Sequence, residues 1–277
     1  MDLIELNKVA IEAALAAGKV IQKSMNEKVP IEKKEGGTSY ASQVVTAVDR
    51  DCETVILSHL LPISNEFDLA LLSEETEDDG GRFEKDYFWC IDPMDGTLSF
   101  INKRPGFSVS IALIAKDGTP YIGVVYDPST DNLYNAIRGK GVFKNGSPWV
   151  IKHSNNYLTY VTDQQLKDTP RVVDIRNLLN KKIEQLNLNE LKEISGSGSV
   201  LNAILVLENG PACMLKYPKK EKGGGCIWDF AATACIFHEL GLPATSFDGE
   251  RLNLNKKDNT FFNKVGIFYG NLNIESI

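Results

Sequence analysis

Short apolar runs that end in acidic residues are the feature of this sequence that most constrains its fold. Residues 70–73 (Ala-Leu-Leu-Ser) are followed by Glu74, and residues 87–91 (Tyr-Phe-Trp-Cys-Ile) are followed by Asp92 and Asp95. Short runs of this kind, rich in apolar and aromatic residues, are typical of buried β-strands. The pattern therefore predicts strands whose ends deliver carboxylates to a loop region.

The first half of the chain has further helical and strand patterns. Apolar positions repeat at helical spacing over residues 4–25. Residues 33–41 look like a loop that Gly36-Gly37 keeps irregular, and a second helix is predicted from Thr46 to Leu61, with Pro62 ending it. Further strands and two hairpin turns are predicted: strands at 107–115 and 123–126, and turns at Asp117-Gly118 and Asn145-Gly146.

After about residue 150 the pattern changes to alternating strands and helices. Two strands are predicted at 157–161 and 212–215. Helices are predicted at 172–186, 200–208 and 228–240. We therefore predict an α+β half over residues 1–150, which carries most of the acids, and an α/β half over residues 151–277, joined without a low-complexity linker.

Composition excludes several classes of protein. The net charge of −7 argues against a broad basic surface for a nucleic acid polymer. No apolar run approaches the roughly 20 residues that span a bilayer, and acids stand near the N-terminus where a secretory signal carries basic residues. We therefore expect a cytoplasmic protein. Five scattered cysteines without paired spacing predict neither a zinc site nor disulfides.

The acids suggest a hard metal ion. Carboxylates without nearby histidine or cysteine are ligands suited to Mg²⁺ rather than zinc. Several acids in one pocket would repel each other unless a cation lay between them. Within residues 92–97 (Asp-Pro-Met-Asp-Gly-Thr), Pro93 fixes the backbone, Gly96 allows a tight turn that brings N–H groups near an anion, and Thr97 offers a hydroxyl.

The same acids have a structural alternative. An acid after a strand is often a turn or helix cap, and for Asp229 taken alone, after Gly223-Gly224-Gly225, an N-terminal helix cap is the better interpretation. Glu77, Asp78 and Asp79 look like a solvated acidic turn.

Three segments together resemble the inositol monophosphatase family of lithium-sensitive, Mg²⁺-dependent phosphatases, which also holds the 3′(2′),5′-bisphosphate nucleotidases. The segments are Ser73-Glu74-Glu75, residues 92–97, and Trp228-Asp229-Phe230-Ala231-Ala232. The likeness runs from about Val45 to Asn255. Three linked motifs are far more specific than one.

The resemblance implies a role for each matching residue. It implies that two or three Mg²⁺ ions bind at the site. Their ligands would be Glu74, Asp92, the Met94 carbonyl, Asp95 and Asp229. It implies contact with the substrate phosphate for Asp95, Gly96, Thr97 and Leu98. Val-Thr-x-x-Asp at residues 45–49 resembles a further family segment, which implies that Asp49 and Thr97 together activate the attacking water. The implied fold is the layered α/β/α/β/α sugar-phosphatase fold with two tightly joined halves, and the implied assembly is a monomer or homodimer.

The substrate is less constrained. Residues 198–202, with Gly198 and Ser199, and residues 217–219, with Lys219, are similar to the bisphosphate-nucleotidase branch. The inositol branch often has a glutamate seven residues before the Asp of the Trp-Asp motif, where this chain has Lys222. A basic loop suits a second phosphate better than a neutral polyol, although these lysines could equally form a solvated face.

We therefore predict hydrolysis of 3′-phosphoadenosine 5′-phosphate to AMP and phosphate. An inositol-1-phosphate or fructose-1,6-bisphosphate phosphatase remains the alternative within the same chemistry. A catalytically silent metal- and nucleotide-binding regulator is the alternative of another class.

Overall fold

The computed structural model describes residues 1–25, 31–33, 44–151, 155–162 and 170–271. Its helices are Leu3–Ser24 (α1), Ala47–Phe67 (α2), Thr97–Ile101 (α3), Pro170–Gln185 (α4), Ser199–Glu208 (α5) and Ile227–Glu239 (α6), with a short 3₁₀ helix at Gly81–Phe83. The strands of the first half are Ile31–Lys33 (β1), Val44–Thr46 (β2), Ala70–Ser73 (β3), Tyr87–Asp95 (β4), Ser108–Ala115 (β5), Pro120–Asp127 (β6), Asn132–Ile137 (β7), Gly141–Lys144 (β8) and Ser147–Pro148 (β9). Those of the second half are Leu158–Thr162 (β10), Leu191–Ser195 (β11), Ala212–Lys216 (β12), Ala244–Thr245 (β13) and Ile267–Gly270 (β14).

The first sheet has seven strands in chain order, β3-β4-β5-β6-β7-β8-β9. Its strands are antiparallel except for β3 and β4, which pair in parallel. Both hairpin turns predicted from the sequence are present, and Gly118, Asn145 and Gly146 have the positive φ angles that tight hairpin turns require. The short pair β1–β2 lies outside this sheet.

The second sheet has the order β11-β10-β12-β14-β13. The strands β10, β11 and β12 are parallel, whereas β14 runs antiparallel to its neighbours. Each parallel connection passes through a helix, α4 between β10 and β11 and α5 between β11 and β12, as parallel strands require.

Helices and sheets alternate in five layers. The helices α1 and α2 pack on one face of the seven-stranded sheet, and α6 packs on β4 to β7 together with its neighbour α5. On its other side α5 contacts β10, β12 and β14, and α4 covers the far face through Ile175, Leu179 and Ile183. This is the predicted α/β/α/β/α arrangement. Its largest core cluster combines residues from both predicted halves.

The second helix does not end at Pro62 as predicted. It continues to Phe67 and ends at Asp68, whose backbone is left-handed (φ 54°). Proline removes one backbone hydrogen bond and costs about 3 kcal/mol in a helix interior. Here Pro62 lies on the exposed face, while Leu60 and Ile63 are buried on the other, so core packing carries the helix past it.

The other predicted helices and strands are present, with ends that differ from the predicted ones by at most three residues, apart from β4, which extends to Asp95. All five cysteines are free and buried. Most of the predicted loop at residues 33–41 lies outside the described residues, apart from Lys33 at the end of β1. Within the described part of the chain, none of the helices combines the length and apolar character needed to cross a membrane.

Candidate active site

A bulge in β4 turns two acids toward the same side of the strand. Asp92 pairs with Ser110 of β5 and Asp95 pairs with Ser108, so three steps along β4 match two steps along β5. Side chains three residues apart on a regular strand point to opposite faces. The extra residue of a bulge brings them to the same face. The strand is thus longer than predicted from the sequence, and both acids lie at its end rather than in a loop.

Three carboxylates meet at this bulge. One oxygen from each of Asp92, Asp95 and Asp229 lies within 4.8 Å of the others. Asp92 is 1% exposed and Asp95 is 7% exposed, while Asp229 is half-buried. Two residues of the sheet and one of α6 are therefore brought together in one cluster, as the sequence predicted for these three.

Asp95 also links the two halves. Its Oδ1 accepts a hydrogen bond from the Ser199 N–H (3.2 Å), and its Oδ2 accepts one from the Val200 N–H (2.8 Å), at the beginning of α5. Burial, and then the charge of Asp229, raise the pKa of Asp95 well above the usual aspartate range. A carboxylate at a helix N-terminus is favourable for the helix dipole, so burial first and the neighbouring negative charge second outweigh this stabilisation of the charged form.

Gly198 makes this approach possible. A Cβ at this position would lie 2.2 Å from Asp95 Oδ2 and 2.5 Å from its Cγ. Its φ of −60° is accessible to any residue, so glycine is required by space and not by backbone conformation.

Asp229 caps a helix and also lies in the acid cluster. Cys226 begins α6 as its N-cap, and Asp229 stands at the third helical position, where its Oδ2 accepts a hydrogen bond from the Cys226 N–H. The residue therefore caps the helix, though not from the N-cap position itself. One of its carboxylate oxygens also lies within 4.8 Å of oxygens of Asp92 and Asp95.

Asp49 and Thr97 are in contact. The Thr97 hydroxyl lies 3.0 Å from Asp49 Oδ1 and 3.1 Å from the Met94 carbonyl oxygen, and both are acceptors for its single proton. Asp49 Oδ2 accepts hydrogen bonds from the Thr46 N–H and hydroxyl, both at 2.7 Å, in a capping box at the start of α2. Burial raises the pKa of Asp49 despite these hydrogen bonds.

Glu74 lies near this group without joining the three-carboxylate cluster. Its N–H donates to the Ile91 carbonyl (3.1 Å), which fixes the end of β3 beside β4. Its charge contributes to the raised pKa of both Asp49 and Asp95. Its field therefore reaches the cluster.

The turn after Asp95 is built on a glycine. Gly96 has a φ of +84°, and a Cβ there would lie 2.3 Å from the Gly106 carbonyl oxygen. This turn opens the five-residue helix α3, which begins with Thr97 and Leu98. The structure thus places Gly96, Thr97 and Leu98 immediately after the acids.

The donor set fits a hard divalent cation. Three carboxylates with oxygens this close are mutually repulsive, and oxygen ligands of this kind suit Mg²⁺. Burial raises the pKa of all five buried cysteines, and none of them belongs to the cluster of Asp92, Asp95 and Asp229.

Lys216 is a residue that sequence reasoning missed. It ends β12 and is only 8% exposed, and its Nζ donates to the Ser199 hydroxyl over 2.7 Å. Its charge acts on Asp95 and lowers the pKa of that residue in part. The signal was available, because Lys216 follows the apolar residues 212–215 just as the acids follow β3 and β4.

The predicted basic loop lies between β12 and α6. The Lys219 N–H donates to the Asn263 carbonyl (2.6 Å), and Asn263 returns a hydrogen bond to the Lys219 carbonyl. The side chain of Lys222 is exposed. The loop backbone is therefore anchored to the segment after β13, and contact of either lysine with substrate stays a prediction.

A match to a family model decides the wider relationship. The model described as "Inositol monophosphatase family" matches residues 2–271. The chain belongs to the inositol monophosphatase family. Members of this family are phosphatases that hydrolyse phosphate monoesters, so the chain is a phosphoric monoester hydrolase.

Individual relatives agree with this membership. Inositol monophosphatase 1 of Solanum lycopersicum is 38% identical over 246 residues, covering 87% of this chain and 84% of the relative. Inositol-1-monophosphatase of Bacillus subtilis (strain 168) is 27% identical over 98% of this chain and 93% of its own length. The crystal structure of CysQ from Bacteroides thetaiotaomicron, a bacterial member of the family, superposes with a TM-score of 0.74 at 26% identity, covering 97% and 98% of the two chains.

Proposed function

We propose that this phosphatase requires Mg²⁺ and hydrolyses a small metabolite carrying a second anionic group, with 3′-phosphoadenosine 5′-phosphate as the preferred substrate. The observation that carries the proposal is the convergence of Asp92, Asp95 and Asp229 next to the Asp49–Thr97 pair. This convergence supports a metal-assisted hydrolysis at these residues.

Asp92, Asp95 and Asp229 are the proposed metal ligands, with Glu74 and the Met94 carbonyl completing the set. Bound Mg²⁺ supplies charge compensation for the phosphate and makes a water molecule more acidic. The two Asp95 hydrogen bonds to α5 hold that carboxylate in place, and a fixed ligand reorganises little when phosphate binds.

Asp49 is the proposed proton acceptor. Its Oδ1 accepts a hydrogen bond from the Thr97 hydroxyl, which leaves the lone pairs of that hydroxyl to orient the attacking water. As water attacks phosphorus, its proton passes through Thr97 toward Asp49, and the bond from phosphorus to the leaving oxygen breaks. A carboxylate whose pKa is raised by burial is a better base than an exposed aspartate.

Substrate preference rests on positive charge beside the acids. The buried Lys216 touches Ser199, and the loop after it carries Lys219, Lys220 and Lys222. Cations and helix N-termini favour an additional phosphate over a neutral polyol. The second candidate is an inositol-1-phosphate phosphatase, which is favoured by the names of the relatives from Solanum lycopersicum and Bacillus subtilis.

A panel of substrates tests the proposal. Phosphate release is measured from 3′-phosphoadenosine 5′-phosphate, inositol 1-phosphate and fructose 1,6-bisphosphate, with Mg²⁺, with EDTA, and with Mg²⁺ plus Li⁺. We expect Mg²⁺-dependent release, inhibited by Li⁺, with the highest kcat/KM on the nucleotide. Equal or higher kcat/KM on inositol 1-phosphate would reject the nucleotide preference. Release that persists in EDTA would reject the metal requirement, and no release from any of the three would favour the silent regulator.

A further inference from the structure

We propose that Asn255 is a positioning residue for the metal site, because it holds the loop that carries Glu74 in a fixed place relative to the helix start that carries Asp229. This inference rests on the proposed function, in which Glu74 and Asp229 are metal ligands. Asn255 follows β13 and is only 8% exposed. It is distant from both acids in the sequence, so its effect depends on the contacts that connect it to them.

Arg82 is the residue through which Asn255 reaches the loop after β3. Arg82 is 2% exposed and lies in the short 3₁₀ helix at the end of that loop. Its Nη1 donates to Asn255 Oδ1 over 2.6 Å, and its Nε donates to Asp78 Oδ2 over 2.8 Å. Asp78, predicted to lie in a solvated acidic turn, is thus the partner of a buried cation in the same loop as Glu74. A planar guanidinium bound on two sides has a fixed orientation.

The side-chain amide of Asn255 is engaged at both its oxygen and its nitrogen. Besides accepting the bond from Arg82, it donates through Nδ2 to the backbone carbonyls of Arg82 (3.0 Å) and Lys116 (2.9 Å). The backbone N–H of Asn255 donates to Asn253 Oδ1 over 3.0 Å. Three parts of the chain, namely the 3₁₀ helix, the β5–β6 turn and the segment after β13, therefore meet at one side chain.

The loop with Glu74 is held at both of its ends. At the beginning, the Glu74 N–H donates to the Ile91 carbonyl over 3.1 Å, which fixes the backbone beside β4. At the far end, the loop is held by the contacts of Arg82 with Asp78 and Asn255. A metal ligand on a loop depends on such support for its direction. Loss of the contacts at Arg82 should therefore disturb the Glu74 side chain.

The segment that carries Asn255 continues to the start of α6. Phe261 forms an antiparallel bridge with Cys226, and the Phe262 N–H donates to the carbonyl of the residue before Cys226 over 3.0 Å. The N–H of Cys226 in turn donates to the Asp229 carboxylate. This segment therefore connects the loop after β3 to the part of α6 that fixes Asp229.

Both ends of this connection are within electrostatic reach of the same groups. After burial, the charges of Asp229 and Glu74 both raise the pKa of Asp95 and the pKa of Cys226. Mg²⁺ demands near-ideal octahedral geometry at about 2.0–2.1 Å and tolerates little change in the separation of its ligands. A residue that fixes the two ligand-bearing segments relative to each other should therefore tighten Mg²⁺ binding.

The test is a calorimetric titration of the metal-free protein with Mg²⁺. Asn255→Ala should weaken Mg²⁺ binding by about 10- to 100-fold, the usual cost of disturbing the support of a metal ligand. Asn271→Ala is the matched control, because it also removes an amide that bonds two backbone groups, the Ala212 N–H and the Val206 carbonyl, but in the second sheet. The control should change Mg²⁺ affinity less than about threefold, even where its unfolding temperature falls.

A milder variant keeps the test informative if Asn255→Ala does not fold. Arg82→Lys retains a cation beside Asp78 but lacks the planar fork that also reaches Asn255. It should weaken Mg²⁺ binding in the same direction as Asn255→Ala, but less.

Double variants separate positioning from general support of the fold. Glu74→Gln should weaken Mg²⁺ binding, and adding Asn255→Ala or Arg82→Lys should weaken it little further, because both changes act through Glu74. Additive losses would overturn the inference. If Glu74→Gln bound Mg²⁺ as tightly as wild type, the ligand assignment in the proposed function would be wrong, and the inference would fall with it. If Glu74→Gln weakened binding while Asn255→Ala and Arg82→Lys did not, the inference alone would be refuted.

Discussion

Replacing Gly198 with alanine should disable the site without unfolding the protein. The new Cβ would lie 2.2 Å from Asp95 Oδ2, whereas ordinary contacts begin at about 3.4 Å. The carboxylate or the start of α5 must therefore move by about 1 Å. The backbone at Gly198 accepts alanine because its φ is −60°, so strain from the main chain adds nothing.

The displacement breaks the link between Asp95 and α5. Hydrogen bonds from the Ser199 and Val200 N–H groups to the carboxylate would lengthen or be lost, each worth about 1.5–3 kcal/mol when the acceptor is charged. A displacement of about 1 Å in catalytic geometry costs about 100-fold in rate. Disturbed support for a metal ligand lowers metal affinity by about 10- to 100-fold. We therefore expect kcat/KM to fall by at least about 100-fold, with a destabilisation of about 1–3 kcal/mol from overpacking.

The assay combines phosphate release with Mg²⁺ titration by calorimetry and with thermal unfolding. Gly81→Ala is the matched control, because its Cβ would also approach a carboxylate, Asp79 Oδ1 at 3.0 Å, but that acid is exposed and can shift. The control should keep near-normal kcat/KM. A Gly198→Ala protein with kcat/KM within about threefold of wild type would show that the contact between Asp95 and α5 does not matter for catalysis.

Three further outcomes follow from the site. Asp95→Asn should abolish turnover while far-ultraviolet circular dichroism stays native, and near-normal activity would refute its assignment as a metal ligand. Asp49→Asn and Thr97→Val should each lower kcat by about 10²- to 10⁴-fold, and the double variant should be little worse than the poorer single, because the two act on one proton; additive losses would contradict this. Burial and the charge of Asp229 raise the pKa of Asp95, so protonation of this residue stabilises the folded state. The unfolding temperature of the metal-free protein, measured relative to that of Asp95→Asn, should therefore fall as the pH rises above about 4. Saturating Mg²⁺ should remove this trend.

The sequence predicted the acids well because their signal is local. The apolar run before Asp92 and Asp95 marks β4, at whose end both lie, whereas Asp229 was recognised from the Trp228-Asp229 motif; the structure brings the three together. The five-layer fold followed from the family resemblance, and alternating strands and helices after residue 150 indicated its second half.

Other features depended on tertiary structure and could not be predicted. The β4 bulge arises from pairing with β5, and its register is not visible in residues 92–95 alone. The low helix propensity of proline predicts that α2 ends at Pro62, but burial of Leu60 and Ile63 stabilises the helix beyond it. For Lys216 the sequence shows its place after an apolar run, but its contact with Ser199, 17 residues earlier in the chain, is visible only in the structure.

Anomalous diffraction from crystals soaked in Mn²⁺, a substitute for Mg²⁺, tests the central claim most directly. We predict an anomalous peak at bonding distance, about 2 Å, from carboxylate oxygens of Asp92, Asp95 and Asp229, and loss of that peak in Asp95→Asn crystals. In solution, the enzyme should also hydrolyse phosphate esters when Mn²⁺ replaces Mg²⁺. An active enzyme whose crystals show no peak at these three carboxylates would contradict the assignment of this cluster as the catalytic metal site.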